Sequence, residues 1–548
     1  MEIPKIDYTP EKLKRGDIVS EAKQLIKSSS NHISNIDYLV NKYEVEKTII
    51  ESYYHEAIGF MKNRITTFWQ VNLDSKMKVK SVELVRTKFR DWLTSNGIYR
   101  LPLNLKDDTY VMITDNIVEE INTKKIKKIT IDYVNTLPDT FDLITRETLE
   151  EFIIKGANVY FSKDFLDFLP ELTEGNIING KKFIWNRDSH EHSFFYFKNK
   201  IVVVDKDGLK EFSFDKLYNF VWKSQLINRD YANTTDDCDF KDFISKICNE
   251  DLERINYVRS IIGYLIHSYK NKSKLWSVVL NDEEISDDPE GGNGKGLFFQ
   301  AIGQLVEVLI IDGKNFSFDK NFVFQRMKHS TQIIFFDDVG KKFEFERLFS
   351  VISEGISIEK KGKDEFYIPF EYSPKIGIAT NYDIDGCGSS VERRKLNIEF
   401  SSYFSKIKTP LEQYNKIMFD EWSDEEWKAF YNYMINCQIY YFKNGINKPE
   451  TTNNEKRQFY NMTPKGFPDY AEDIEKNIQV NKNEFTDIFS KSQSFKFGVA
   501  TVMRYVKHYC KYKGYEYLEG HSGSTYWFMV KTNKSIQLEI TDSNDCPY

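Results

Sequence analysis

Glu290-Gly291-Gly292-Asn293-Gly294-Lys295-Gly296 runs directly into Leu297, Phe298, Phe299, Ala301, Ile302 and Leu305, an apolar series at helical spacing. A glycine-rich turn ending in Gly-Lys ahead of a helix is suited to holding a polyphosphate. Glycines let consecutive N–H groups converge on one anion. The helix start adds the positive end of its dipole, and Lys295 adds a full charge. Residues 290–297 are therefore the expected nucleotide-binding segment. The match to the phosphate-loop pattern G-x-x-x-x-G-K-[ST] is incomplete, because Pro289 stands at the first glycine and Gly296 at the Ser/Thr. That hydroxyl normally touches magnesium. A glycine turn before an ordinary helix is the plainer alternative.

Further along, Thr331-Gln332-Ile333-Ile334-Phe335-Phe336-Asp337-Asp338 is an apolar run closed by two carboxylates, with Asp337 placed 42 positions after Lys295. It predicts a central strand of a covered sheet. Carboxylates at the carboxyl end of such a strand lie where open α/β sheets bind ligands. Asp337 is the expected magnesium carboxylate, with Asp338 beside it to orient or deprotonate an attacking water. A second strand, Pro374 to Asn381, ends in an amide that suits a γ-phosphate or its water. Then comes Val391-Glu392-Arg393-Arg394-Lys395-Leu396-Asn397-Ile398-Glu399-Phe400. Its arginines read either as a solvated basic turn or as a charge offered to a neighbouring subunit's nucleotide.

Together and in this order, the Gly-Lys loop, the Asp-Asp strand, the Thr380-Asn381 strand end and the double arginine resemble a superfamily 3 helicase. These are ring-forming AAA+ motors of viruses, phages and plasmids. The nearest likeness is to phage and mobile-element relatives of the poxvirus primase-helicase. The motifs cover residues 290–400. Weaker similarity extends upstream, to Phe89-Arg90-Asp91-Trp92-Leu93, Asn96-Gly97-Ile98-Tyr99-Arg100, Asn116 to Ile121 and Phe195 to Asn199. The resemblance implies ATP and Mg2+ as cofactors and Lys295, Asp338, Asn381 and Arg394 as the catalytic set, with Asp337 and Asp338 at the metal. In the family pattern the finger arginine precedes the closing apolar residue by six positions, which selects Arg394 when counted from Phe400. It also implies a ring, a hexamer, on single-stranded or forked DNA, with replication proteins of the host or element as further partners.

Gly355 to Ile368 alternates around a Lys-Gly-Lys turn and predicts a hairpin. The resemblance places such a hairpin in the ring's pore, where Lys360, Lys361 and Lys363 would contact DNA phosphates without reading sequence. Exposed lysines at a turn are otherwise simply solvated.

The chain's 548 residues suffice for several cores. The formal net charge of −7 means that any nucleic-acid binding must come from local basic patches. Six scattered cysteines without Cys-x-x-Cys pairs point to free thiols in a reducing compartment and away from zinc. No apolar run approaches membrane-spanning length, and the first residues lack a signal peptide's core. A cytoplasmic protein is expected, in the bacterial host's cytoplasm if phage-encoded. Asp188-Ser189-His190-Glu191-His192 reads as a polar turn, and Lys206-Asp207-Gly208 as a hairpin turn in place of a two-metal polymerising centre.

The expected architecture is multidomain α/β. Residues 1–80 are read as helical, and 81–245 as an α+β region like the amino-terminal part of phage primase-helicases. Residues 246–405 form an AAA+ P-loop ATPase core. A helical connector spans 406–484 and a winged-helix-like domain 485–548. In that last domain, Val499, Val502, Met503, Val506, Tyr509 and Cys510 make an apolar stripe, opposite Arg504, Lys507, His508 and Lys511. Helix and following hairpin suggest a second DNA contact or a docking domain. Two other functions stay open: a nucleotide-gated DNA-binding scaffold or loader, kept alive by Gly296, and a bifunctional primase-helicase.

Overall fold

The computed structural model describes residues 17–532, apart from 26–31, 51–53, 55–66, 103–107, 179–180, 284–291, 341–342, 360–364, 383–390, 406–407, 450–458 and a few shorter gaps. At its centre lies a five-stranded sheet. A helix α1 (Leu252–Ile266) leads into β1 (Ser277–Asp282). Then follow α2 (Lys295–Ile302), β2 (Val308–Asp312), β3 (Ile333–Val339), β4 (Lys375–Thr380), β5 (Lys395–Phe400) and a long helix α3 (Asp424–Asn444). The strands lie in the order β2-β3-β4-β1-β5, every neighbouring pair parallel. A parallel sheet must be covered on both faces, which is why its strands read as unbroken apolar runs. Alternation divides those runs. Val278, Leu280, Ile333 and Phe335 pack with Phe298, Phe299 and Ile302 of α2, and with α1 and α3. Val279, Ile334, Phe336, Ile376 and Ile378 pack on the other face with Phe345, Leu348 and Ile352.

Close approach fixes α2 over the sheet. A Cβ on Gly377 of β4 would stand 2.1 Å from the Phe299 ring, and Phe299 stacks on Phe335 with centroids 4.0 Å apart. The lead-in helix packs inside the chain, its Ile261, Ile262 and Leu265 sharing one core with Phe430, Met434 and Cys437 of α3. Residues on either side of position 405 therefore belong to one body. So do Phe195, Phe197, Val202 and Val204, from the sheet of strands Ser193–Phe197, Ile201–Asp205, Gly208–Phe212 and Leu226–Ile227. The Phe197 ring meets Tyr431 of α3 edge-on.

The predicted Lys206-Asp207-Gly208 turn joins two antiparallel strands in register Asp205 to Gly208. Asp205 Oδ1 accepts the N–H groups of Asp207 and Gly208 at 2.8 and 3.0 Å, which commits that carboxylate to the turn. The expectation of helix throughout 1–80 fails at its end. Trp69–Leu73 and Val79–Leu84 pair as an antiparallel hairpin. The physical reason is a period of two in Trp69-Gln70-Val71-Asn72-Leu73, closed by Asp74 capping the N–H groups of Lys76 and Lys78. Helix does form at His32–Tyr43.

A separate core carries the carboxy-terminal module, with helices Phe467–Glu472, Lys482–Ser492 and Val499–Lys513 and strands Val480–Asn481, Glu516–Ser522 and Thr525–Lys531. Val502, Met503, Val506, Tyr509 and Cys510 are buried there, while Arg504, Lys507 and Lys511 are exposed. Among the described residues no helix is long and apolar enough to cross a membrane, and Cys238, Cys248, Cys437 and Cys510 are free thiols.

Candidate functional site

The carboxyl ends of β3 and β4 meet the start of α2 around one pocket of about 580 Å³, a size typical of small-molecule sites. Gly292, Asn293, Gly294, Lys295, Gly296 and Leu297 line it together with Asp337, Asp338, Thr380 and Asn381. Glu290 and Gly291 lie outside the described residues. The loop bends through left-handed backbone at Gly292 (φ 112°) and Gly294 (φ 89°), which side-chain-bearing residues rarely adopt. Gly294 is also the residue before α2, and a Cβ there would stand 2.7 Å from the Phe243 ring.

Lys295 is the hub. Its Nζ lies 2.8 Å from Asp282 Oδ2 and 3.4 Å from the Thr380 carbonyl, and it donates to Asn381 Oδ1. Because β4 lies between β1 and β3, Asn381 enters the gap between the loop and the acid pair. Thr380 holds it there: its hydroxyl donates to the Val339 carbonyl at 2.9 Å and accepts the Tyr382 N–H at 3.0 Å.

The two aspartates differ. The β3–β4 register breaks between Phe336 and Val339, and Asp338 takes left-handed backbone at φ 54°. Such a bulge re-aims side chains. Asp338 pairs with Lys314 Nζ at 2.8 Å, in an exposed geometry that contributes little to stability. Asp337 is half-buried. Desolvation raises its carboxyl above the usual range, the neighbouring Asp338 charge raises it further, and Lys295 draws it partly back. Among the described residues no group of three or more His, Cys, Asp or Glu forms a metal cage. Magnesium needs no such cage, since one or two carboxylates suffice when phosphates and waters complete the shell. The donor set of Asp337 with Asp338 fits that ion, although Gly296 brings no hydroxyl.

Residues 410–420 make a wall absent from the sequence expectations. Pro410–Tyr414 is a short helix capped by Thr409 with Glu412 in a reciprocal capping box. Leu411, Lys416, Ile417, Met418 and Asp420 line the pocket, and Leu411 and Ile417 remain 53% and 48% exposed. Sequence reasoning also missed Asp282. Its only signal was a polar Asn281-Asp282 ending to an apolar run before the loop.

Arg394 sits at the other edge of the sheet. It precedes β5, its carbonyl accepts the Ser277 N–H at 2.7 Å, and its guanidinium lies over the Phe349 ring at 4.4 Å, while Arg393 is exposed. β5 runs in parallel register with β1 from Lys395 opposite Ser277 to Phe400 opposite Asp282. At about 3.3 Å per residue this puts Arg394 roughly 20 Å from its own chain's pocket. Lys360, Lys361 and Lys363 lie outside the described residues. The strands flanking them, Gly355–Ile358 and Phe366–Pro369, pair antiparallel as predicted. In the carboxy-terminal module, Lys482 and Lys507 both bind Glu519, whose carboxyl they hold down at about 2.

Residues 288–394 match a family of unknown function, DUF5906. No curated protein matches the chain. Among solved structures, the apo NrS-1 C-terminal region is 12% identical, with a TM-score of 0.37 over 80% of this chain and 97% of that one. A JCV helicase bound to a thiazolopyridinyl acetamide is 14% identical, with a TM-score of 0.24 over 37% of this chain and 54% of the other.

Proposed function

We propose that the chain is an ATP-dependent DNA helicase of the superfamily 3 type, hydrolysing ATP as it moves along single-stranded DNA in the replication of a phage or mobile element. The observation that carries this reading is the convergence of Lys295, Asp337 and Asn381 on one pocket at the carboxyl edge of a parallel sheet. Leu411 and Ile417 add an apolar face at the same pocket, suited to the base of a nucleotide. The loop amides and Lys295 bind the phosphates. Asn381 contacts the terminal phosphate or its water, and Asp338 orients that water. Mg2+, held through Asp337 and Asp338, would neutralise charge on the phosphates. The roughly 20 Å between Arg394 and its own pocket supports action on a neighbouring subunit's nucleotide, and thus a ring, a hexamer by resemblance. Lys360, Lys361 and Lys363 would grip DNA phosphates in the pore. In the carboxy-terminal module, the order helix, strand, two helices, two strands supports the winged-helix-like reading, with Arg504 and Lys511 toward DNA.

The test is phosphate release with and without single-stranded DNA, paired with displacement of a forked duplex. DNA-stimulated ATPase and displacement are expected. Arg394→Ala is expected to abolish hydrolysis while nucleotide still binds, and normal turnover in that variant rejects the finger. A second reading, a nucleotide-gated scaffold, rests on the missing hydroxyl at Gly296. ATP-dependent DNA binding without displacement would favour it.

A further inference from the structure

We infer that Asp282 is a built-in counter-anion for Lys295, one that competes with a bound triphosphate and so sets how tightly the pocket holds it. The inference rests on the phosphate reading of the loop. Asp282 ends β1 and is 7% exposed. One carboxylate oxygen lies 2.8 Å from Lys295 Nζ, and the other accepts the Asn293 side-chain N–H at 2.8 Å. Both oxygens are thus turned onto the glycine loop. The strand end that carries them is fixed, since β1 stays in register with β5 as far as Asp282 opposite Phe400, and Glu283 N–H donates to the Phe400 carbonyl at 2.8 Å. The main chain that carries the Asp282 carboxylate is therefore anchored beside the loop.

Two effects follow, and both oppose the ligand. In the free chain the nearly buried Lys295–Asp282 pair stabilises the lysine where it is. In the complex the same ammonium must serve two anions, and a poorly solvated carboxylate stands beside the phosphates. Removing the charge of Asp282 weakens the free-state pair and relieves the bound-state repulsion together. Asn381 and the Thr380 carbonyl, which also accept from Lys295, are neutral and exert no such effect. The result is a pocket whose affinity for polyphosphate is held down by its own sequence, which favours release after turnover.

The experiment is calorimetric titration of the full chain with sodium tripolyphosphate and, separately, with adenosine, in EDTA so that no divalent ion bridges the anions. Asp282→Asn is expected to bind tripolyphosphate about tenfold more tightly than wild type while adenosine affinity stays the same. Asp282→Ser keeps an acceptor for the Asn293 amide in a smaller side chain. It carries the same expectation and is the variant read if the first does not fold. Unchanged or weaker tripolyphosphate binding overturns the inference, as does an equal change for adenosine, which would mark a structural effect without charge. If wild type binds no tripolyphosphate, or Lys295→Ala binds it as well as wild type does, the phosphate reading itself falls and takes this inference with it.

Discussion

The two edges of the central sheet both gather charge, and they treat it in opposite ways. At the carboxyl edge Lys295, Asp337 and Asn381 line an open pocket. At the amino edge Lys375 is fully enclosed, donates to the carbonyls of Tyr264 and His267 at the end of α1, and has its ammonium pulled well below its ordinary range by burial. Around it, Asp188 accepts the Ser268 N–H at 2.7 Å, and the His267 ring meets the Ser189 carbonyl at 2.9 Å. The Asp188 to His192 stretch is thereby docked onto the sheet as a turn. The larger cavity, about 1810 Å³, lies at this amino edge between the 174–225 region and the sheet. Yet Asp188 is committed to backbone there, Arg187 to Glu174 and Glu307 to Lys328. Buried charge alone does not mark a site; charge facing both space and an unfilled chemical role does.

The predictions separate the two edges. Lys295→Ala should lower kcat/KM for ATP by roughly a hundred- to a thousandfold, read as phosphate release. Asp337→Asn should cut hydrolysis by about a hundredfold. The same change should raise the stability of the free chain by about 0.5–1 kcal/mol in thermal melts, since a neutral amide escapes both desolvation and Asp338 at this solvent-screened position. At the amino edge the effects should reverse. Lys375→Met should cost about 2–3 kcal/mol of stability by stranding two buried carbonyls, with nucleotide affinity of the folded chain unchanged. A matching loss of affinity would mean that the edges are coupled.

Titration sharpens the contrast further. Burial pulls the Lys270 ammonium, 2.6 Å from Ser373 Oγ, down to about 7 from its ordinary 10.5. Between those values the unfolded chain binds more protons than the folded one, so stability should rise as pH increases across that window. Below it this contribution is flat. Melting curves of Lys270→Met against wild type should show that slope disappear. The smallest effect is expected at Gly296→Ser. Nothing lies within 4 Å of a Cβ built there, so the missing hydroxyl can be added without clash. Magnesium-dependent turnover should hold or rise within a few-fold of wild type.

Much of the carboxyl edge was legible because each of its residues closes an apolar run. Asp337 and Asp338 lie just before the last residue of β3, Asn381 follows β4, and the glycine loop opens α2. Local pattern was enough for these. Asp282 also closes an apolar run, but its pairing with Lys295 was not legible, because the lysine is reached only when the loop folds back onto the strand end. The Leu411–Ile417 wall comes from beyond the last strand, where the sequence reads as a connector, and only its packing brings it to the pocket. The hairpin at 69–84 was hidden by the helical spacing of the residues before it.

The most direct measurement is titration of a non-hydrolysable ATP analogue with Mg2+ into the full chain and into Lys295→Ala. One nucleotide bound per chain is expected in the wild type and none in the variant at the same concentrations. Equal binding by both, or none by the wild type, would contradict it.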